Sequence, residues 1–86
     1  MSSTDAQAPI TLYTTTWCGD CRLVKRYFAK HDIAYIEVNI EDDPSAAAMV
    51  EQWNNGARSV PTFHYNGQVI TEPSVAQLDS LFRSKS

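Results

Sequence analysis

At 86 residues the chain has room for one domain, and a hydrophobic share of 43% lets a chain of this size bury a core without external staples. A net charge of −3 argues against nucleic acid as the main partner, and no apolar run approaches the ~18–20 residues that a bilayer span requires. The opening MSSTDAQAP has neither a basic start nor an apolar stretch, so residues 1–8 read as an unstructured leader and not a secretory signal. The default location is then a reducing cytoplasm, where a lasting structural disulfide is not expected.

In chain order, Ile10 to Thr14 alternates β-branched and aromatic residues and predicts a strand. The stretch TTTWCGDCRLVK follows and holds both cysteines, Cys18 and Cys21. A helix comes next, with Leu23, Val24, Tyr27 and Phe28 lining one face and Arg22, Lys25, Arg26 and Lys30 on the others. Ala34 to Ile40 alternates strictly and predicts a second strand. Asp42-Asp43-Pro44 opens a second helix, because carboxylates favour the positive end of the helix dipole and proline is tolerated in the first turn. Its expected inner face is Ala46, Met49, Val50 and Trp53, and Asn54-Asn55-Gly56 ends it.

Thr62 to Tyr65 and Gln68 to Thr71 flank Asn66-Gly67, a strong hairpin turn. The last helix starts near Pro73-Ser74, with Ser74 and Gln77 at capping-box spacing. It is expected to turn Val75, Leu78, Leu81 and Phe82 inward. No repeat or low-complexity segment interrupts this order. The result is an α/β domain over residues 9–86: a four-stranded mixed sheet in β-α-β-α-β-β-α order, helices on both faces, and a right-handed first crossover. Both cysteines fall at the carboxyl edge of the first strand, where open α/β sheets place their sites.

A bond between Cys18 and Cys21 would be a poor staple. A loop of about four residues contributes only ~2 kcal/mol in the chain-entropy account, and it ties no distant elements together. Structural zinc wants four ligands, whereas one Cys-x-x-Cys pair is present and His31 and His64 lack the usual histidine spacing. No metal site is therefore expected within one chain; a metal or cluster shared between two chains stays as the alternative. The redox reading uses every feature. Cys18 at a helix start meets unpaired amide groups and the positive dipole end, an environment that favours the thiolate, the reactive form in disulfide exchange. Cys21, one turn deeper, is expected to be shielded and less acidic, so Cys18 attacks and Cys21 resolves. Gly19 permits a tight turn and close substrate approach, Trp17 offers an apolar plane beside the sulfur, and Asp20 opposes thiolate formation with Arg22 in partial compensation. Pro61, in RSVPT, precedes a strand; most X–Pro bonds are trans, and the residues alone do not choose the isomer.

With WCGDC after a strand and SVPT before the hairpin, the chain resembles the thioredoxin-fold redoxins, in particular the glutaredoxin family, over about residues 10–83. Through YTTTWCGDC, NGARSVPT and ITEPS it is most similar to the mycoredoxins. The resemblance implies a thioredoxin-like fold, a cis Pro61, and the Val60 backbone opposite a bound thiol substrate. It further implies that Val60 and Thr62 flank the peptide-like part of a small thiol, that Ser74 receives a carboxylate or sugar hydroxyl, and that Arg58 meets an anionic group. Thr15 stands where glutaredoxins commonly carry a lysine, Gly-Asp replaces the usual Pro-Tyr between the cysteines, and Asn66-Gly67 and Thr71-Glu72-Pro73-Ser74 replace the usual glycine pair. The redoxins that serve ribonucleotide reductase carry a Trp-Ser-Gly-Phe-Arg-Pro signature that is missing here.

The implied activity is reduction of mixed disulfides between client proteins and a low-molecular-weight thiol by a monomer. Mycothiol, bacillithiol or glutathione is the co-substrate, and no cofactor is tightly bound. A thioredoxin-like protein disulfide reductase fed by a flavoprotein reductase is the alternative within the class. A dimer carrying an iron–sulfur cluster is the alternative outside it.

Overall fold

The computed structural model describes residues 9–16, 18–65 and 67–82. Residues 1–8, where the leader is expected, Trp17, Asn66 and residues 83–86 lie outside them. The elements follow the expected order: β1 (Ile10–Thr14), α1 (Gly19–Lys30), β2 (Tyr35–Asn39), α2 (Pro44–Trp53), β3 (Thr62–Tyr65), β4 (Gln68–Thr71) and α3 (Val75–Phe82). The strands lie in the order β2-β1-β3-β4. β1 and β2 run parallel, with Ile10 opposite Tyr35 and Thr14 opposite Asn39, while β3 is antiparallel to both β1 and β4.

Side chains alternate across a strand, so β1 feeds two cores. On one face Ile10 and Leu12 pack with Val24, Tyr27 and Phe28 of α1, Phe63 of β3 and Leu78 of α3. Phe28 meets Phe63 at 5.4 Å and Phe82 at 5.7 Å, both nearly edge-on, the arrangement that aromatic quadrupoles favour. On the other face Tyr13 packs with Ile40 and with Ala46, Ala47 and Val50 of α2, and Trp53 meets Tyr13 edge-on at 5.7 Å. Thus α1 and α3 share one side of the sheet and α2 covers the other.

Three inner-face expectations are corrected. Leu23 is exposed, because the buried stripe of α1 runs through Cys21, Val24, Tyr27 and Phe28, and Leu23 lies about 100° round from Val24 on the far side. Met49 is exposed and Ala47 takes its place, small enough to seat α2 closely on the sheet. Val75 is exposed at the first position of α3, before the helix reaches the core. The strict alternation of β2 also does not become a clean in-and-out pattern. β2 is an edge strand, and Ile36 stays exposed there.

The caps behave as their residues dictate. Asp43 accepts from the Ala46 amide with Pro44 in the first turn, and Ser74 and Gln77 exchange both capping-box hydrogen bonds. Gly56 takes φ +95° after α2, as expected, and Asn55 before it is also left-handed.

Candidate active site

The functional residues gather where α1 begins, opposite the loop before β3. Cys18 is the N-cap of α1, with an extended backbone, and its Sγ accepts the Cys21 amide at 3.2 Å. A sulfur thus fills the position usually held by a serine, threonine or aspartate oxygen. Cys18 is half-buried and its thiol donates to the Val60 carbonyl at 3.6 Å. Cys21 is only 1% exposed. Burial pushes its thiol from an ordinary 9.0 up to about 12; contact with the Cys18 sulfur adds to this, and a backbone hydrogen bond at Thr15 and the charge of Lys25 oppose it. The two sulfurs are therefore unequal in the expected sense of access: one faces the surface and the other is sealed beneath it.

The Val60–Pro61 bond is cis, as the resemblance implied. Val60 and Pro61 come from a loop braced from behind. The Thr62 hydroxyl donates to the Ser59 carbonyl, lies 3.5 Å from the Thr71 hydroxyl, and Thr71 in turn donates to Asn54 Oδ1 at 2.9 Å. Asn54 closes the chain on α2 by donating to the Val50 carbonyl. The Glu72 amide donates to the Pro61 carbonyl at 2.8 Å, which ties the β4–α3 connection to the same loop. On the other side, Asn39 donates to the Thr16 hydroxyl at 3.0 Å and clips the segment before Cys18 to the end of β2.

Several predicted contacts are placed differently. Thr62 and Pro61 are fully buried and support the loop from beneath. The Val60 carbonyl, expected to face outward, is taken by the Cys18 thiol. Gly19 is in ordinary helical backbone and a Cβ there would meet nothing, so the turn does not require glycine; what its small size leaves is open space over α1. Arg58 is 65% exposed with its Nε paired to Glu51, leaving the rest of the guanidinium to solvent. The Ser74 amide and hydroxyl oxygen are engaged in the capping box, which leaves the hydroxyl proton to donate. Thr15 is half-buried beside Cys21, Asp20 is exposed in the first turn of α1, and Trp17 falls outside the described residues.

Sequence reasoning missed the polar group one helical turn beyond Cys21. The Thr14 hydroxyl donates to Glu37 Oε2 at 2.8 Å, and Lys25 Nζ lies 3.1 Å from the same oxygen. The available signal was the spacing of Lys25 four residues after Cys21 on one helix face. Among the described residues no cluster of three or more His, Cys, Asp or Glu side chains is placed to hold a metal ion. No helix among them is long and apolar enough to cross a membrane.

A mixed sheet flanked on both faces, with a half-open thiol at a helix start, a sealed thiol one turn deeper and a cis-proline loop opposite, is the arrangement of a thioredoxin-fold thiol–disulfide oxidoreductase. The glutaredoxin family model matches residues 10–70. A candidate glutaredoxin of Mycobacterium tuberculosis, present in two strains, is 42% identical over 72 residues, covering 83% of this chain and 86% of that protein. The crystal structure of a glutaredoxin from Archaeoglobus fulgidus superposes with a TM-score of 0.73 at 17% identity, covering 96% and 97% of the two chains. A buckwheat glutaredoxin solved as a glutathione complex superposes with a TM-score of 0.69 at 23% identity, covering 94% and 83%. The chain belongs to the glutaredoxin family, a family of thiol–disulfide oxidoreductases.

Proposed function

We propose that this protein reduces mixed disulfides between client proteins and a low-molecular-weight thiol, with Cys18 as nucleophile and Cys21 as resolving thiol. The observation that carries the reading is the Cys21 amide donating to the half-exposed Cys18 sulfur at 3.2 Å, since an anionic sulfur is the better acceptor of that hydrogen bond. In the first step the Cys18 thiolate attacks the small-thiol sulfur of the mixed disulfide. The old S–S bond breaks, the client leaves as a thiolate and takes a proton from water, and the small thiol remains on Cys18. A second small thiol then attacks it and leaves as the symmetric disulfide, or Cys21 attacks the Cys18 sulfur and releases the small thiol. Each exchange moves two electrons and consumes one disulfide as it forms another.

The co-substrate follows from charge. Thr15 offers a hydroxyl where family members commonly offer an ammonium, which weakens carboxylate binding by about 1 kcal/mol. Arg58 is the remaining cationic candidate for an anionic group, and it is shared with Glu51. Together with the mycoredoxin-like motifs, this favours a thiol richer in hydroxyls than glutathione, with mycothiol first and bacillithiol second. A buckwheat relative by fold is known in complex with glutathione, which supports the general class of partner. The reading places the protein in the cytoplasm as a monomer.

The test is to offer mycothiol, bacillithiol and glutathione mixed disulfides of one client side by side. Fastest turnover is expected with mycothiol, and equal or greater rates with glutathione would overturn the choice of thiol. The variant Cys21→Ser separates the routes: retained turnover indicates the single-cysteine route, and loss of turnover the dithiol route.

A further inference from the structure

The resolving step needs an anionic sulfur at a position that has almost no exposure to water. One charged side chain is held a helical turn away. Lys25 lies one turn after Cys21 on α1, and residues so spaced share a helix face. Its ammonium is held 3.1 Å from Glu37 Oε2 on β2. The same oxygen receives the hydroxyl of Thr14, which is fully buried at the end of β1. The next residue, Thr15, makes the backbone hydrogen bond to Cys21. Three elements thus hold the part-exposed Lys25 ammonium one helical turn from Cys21.

We infer that Lys25, held by Glu37 and Thr14, is a positioning residue that governs release of the Cys21 proton during resolution. This rests on the role of Cys21 proposed above. In that step the Cys21 S–H gives its proton to water, and its sulfur attacks the Cys18 sulfur of the mixed disulfide. The Cys18–Cys21 bond forms, the bond to the small thiol breaks, and the small thiol leaves with the electron pair and is protonated by water. Desolvation opposes the anion, and a cation one turn away offsets part of that cost, an offset that the partial exposure of Lys25 keeps small. The ionisable groups that act on Cys21 are Cys18 and Lys25, and the first raises while the second lowers its hold on the proton. Glu37 has two effects: it fixes the ammonium in place and cancels part of its field. Removing each member of the ion pair therefore has opposite consequences. Lys25→Met deletes the cation. Glu37→Gln keeps acceptors and donors for Thr14 and Lys25 but deletes the opposing charge.

The experiment is run in Cys18→Ser protein, where Cys21 is the remaining thiol, by alkylation with iodoacetamide and thiolate ultraviolet absorbance across pH. Lys25→Met is expected to slow alkylation at fixed pH and Glu37→Gln to speed it, with Lys25→Arg restoring the parent rate. A midpoint shift of about one unit changes the thiolate fraction tenfold. It changes the rate only about three- to fourfold, because nucleophilicity falls as acidity rises. Thermal melts on the same samples exclude the samples that have lost structure, and loss of structure does not produce rate changes of opposite sign. Shifts of the same sign in both variants, or none, overturn the inference. Single-turnover release of small thiol from the two-cysteine protein then reports the step itself. If no mixed disulfide forms on Cys18 there, the proposed function fails while the alkylation result still stands.

Discussion

The Cys18 thiol and the Val60 carbonyl face each other at 3.6 Å across the mouth of α1. That contact exists only while the sulfur keeps its proton. Once the sulfur ionises or enters a mixed disulfide it has no hydrogen to give, and in the proposed function the freed Val60 carbonyl would accept from a substrate amide. Docking and chemistry would then be coupled through one atom.

The sulfur of Cys18 also caps a helix, which separates its two roles. Cys18→Ala removes the acceptor of the Cys21 amide and is expected to cost about 0.5–2 kcal/mol as well as all turnover. Cys18→Ser keeps an acceptor and is expected to abolish turnover while melting no lower than the parent. Thermal melts beside a mixed-disulfide assay check this; a serine variant as unstable as the alanine variant would contradict the capping role.

Burial of Cys21 makes stability fall in alkali. The thiol ionises at about 9.0 in the unfolded chain and at about 12 in the folded one. Below 9.0 both states hold the proton and the contribution is complete. Above it the unfolded chain loses the proton first, so stability declines as pH rises towards the folded value. Urea denaturation from about pH 8 to about pH 11 is expected to show a steeper decline in the parent than in Cys21→Ala, where that ionisation is absent. Comparing slopes cancels the cavity the alanine leaves.

Glu37 gives the opposite dependence. Its carboxyl is held below the ordinary 4.5 chiefly by the Thr14 hydroxyl and secondarily by Lys25, against a burial effect of opposite sign. A lowered carboxyl contributes stability above its unfolded value, and that contribution disappears as pH falls through the folded value. Because Glu37 is 39% exposed, the contribution is modest. In Thr14→Val the Glu37 midpoint, followed by side-chain NMR, is expected to rise, and the variant is expected to be destabilised more near neutral pH than in acid.

Glu51 should compete with an anionic co-substrate for the Arg58 guanidinium. Arg58→Ala is expected to raise KM several-fold with little change in kcat, since binding alone is lost, and Glu51→Gln to lower KM by freeing the cation. Steady-state kinetics with one small-thiol mixed disulfide tests both. An unchanged KM in both variants would take Arg58 out of the binding surface.

What the sequence made legible follows from the range of each signal. The element order, the two cysteine positions and the Ser74–Gln77 cap depend on residues a few places apart, and these were read correctly. Leu23, Met49 and Val75 satisfy helical periodicity, yet which apolar residue of a turn faces inward depends on how the helix is set on the sheet. The Thr14–Glu37–Lys25 group needs the parallel register of β1 and β2, which no local pattern encodes. The same holds for the hydroxyl of Thr62, whose contact with Thr71, and through Thr71 with Asn54, depends on residues distant in the chain. The cis form of Pro61 was carried by the family resemblance and not by the residues themselves.

The brace running from Thr62 through Thr71 to Asn54 ends on α2, which lies across the sheet from α1. In the proposed function the nucleophile is therefore mounted on one side of the sheet and the edge it works against is anchored on the other. A small tilt of α2 would re-aim the Val60 loop while leaving the sulfurs and their amide untouched. Choice of client and reactivity of the thiol would then be separately adjustable, and substitutions along the buried side of α2 are a route by which related proteins could come to serve different disulfides with the same chemistry.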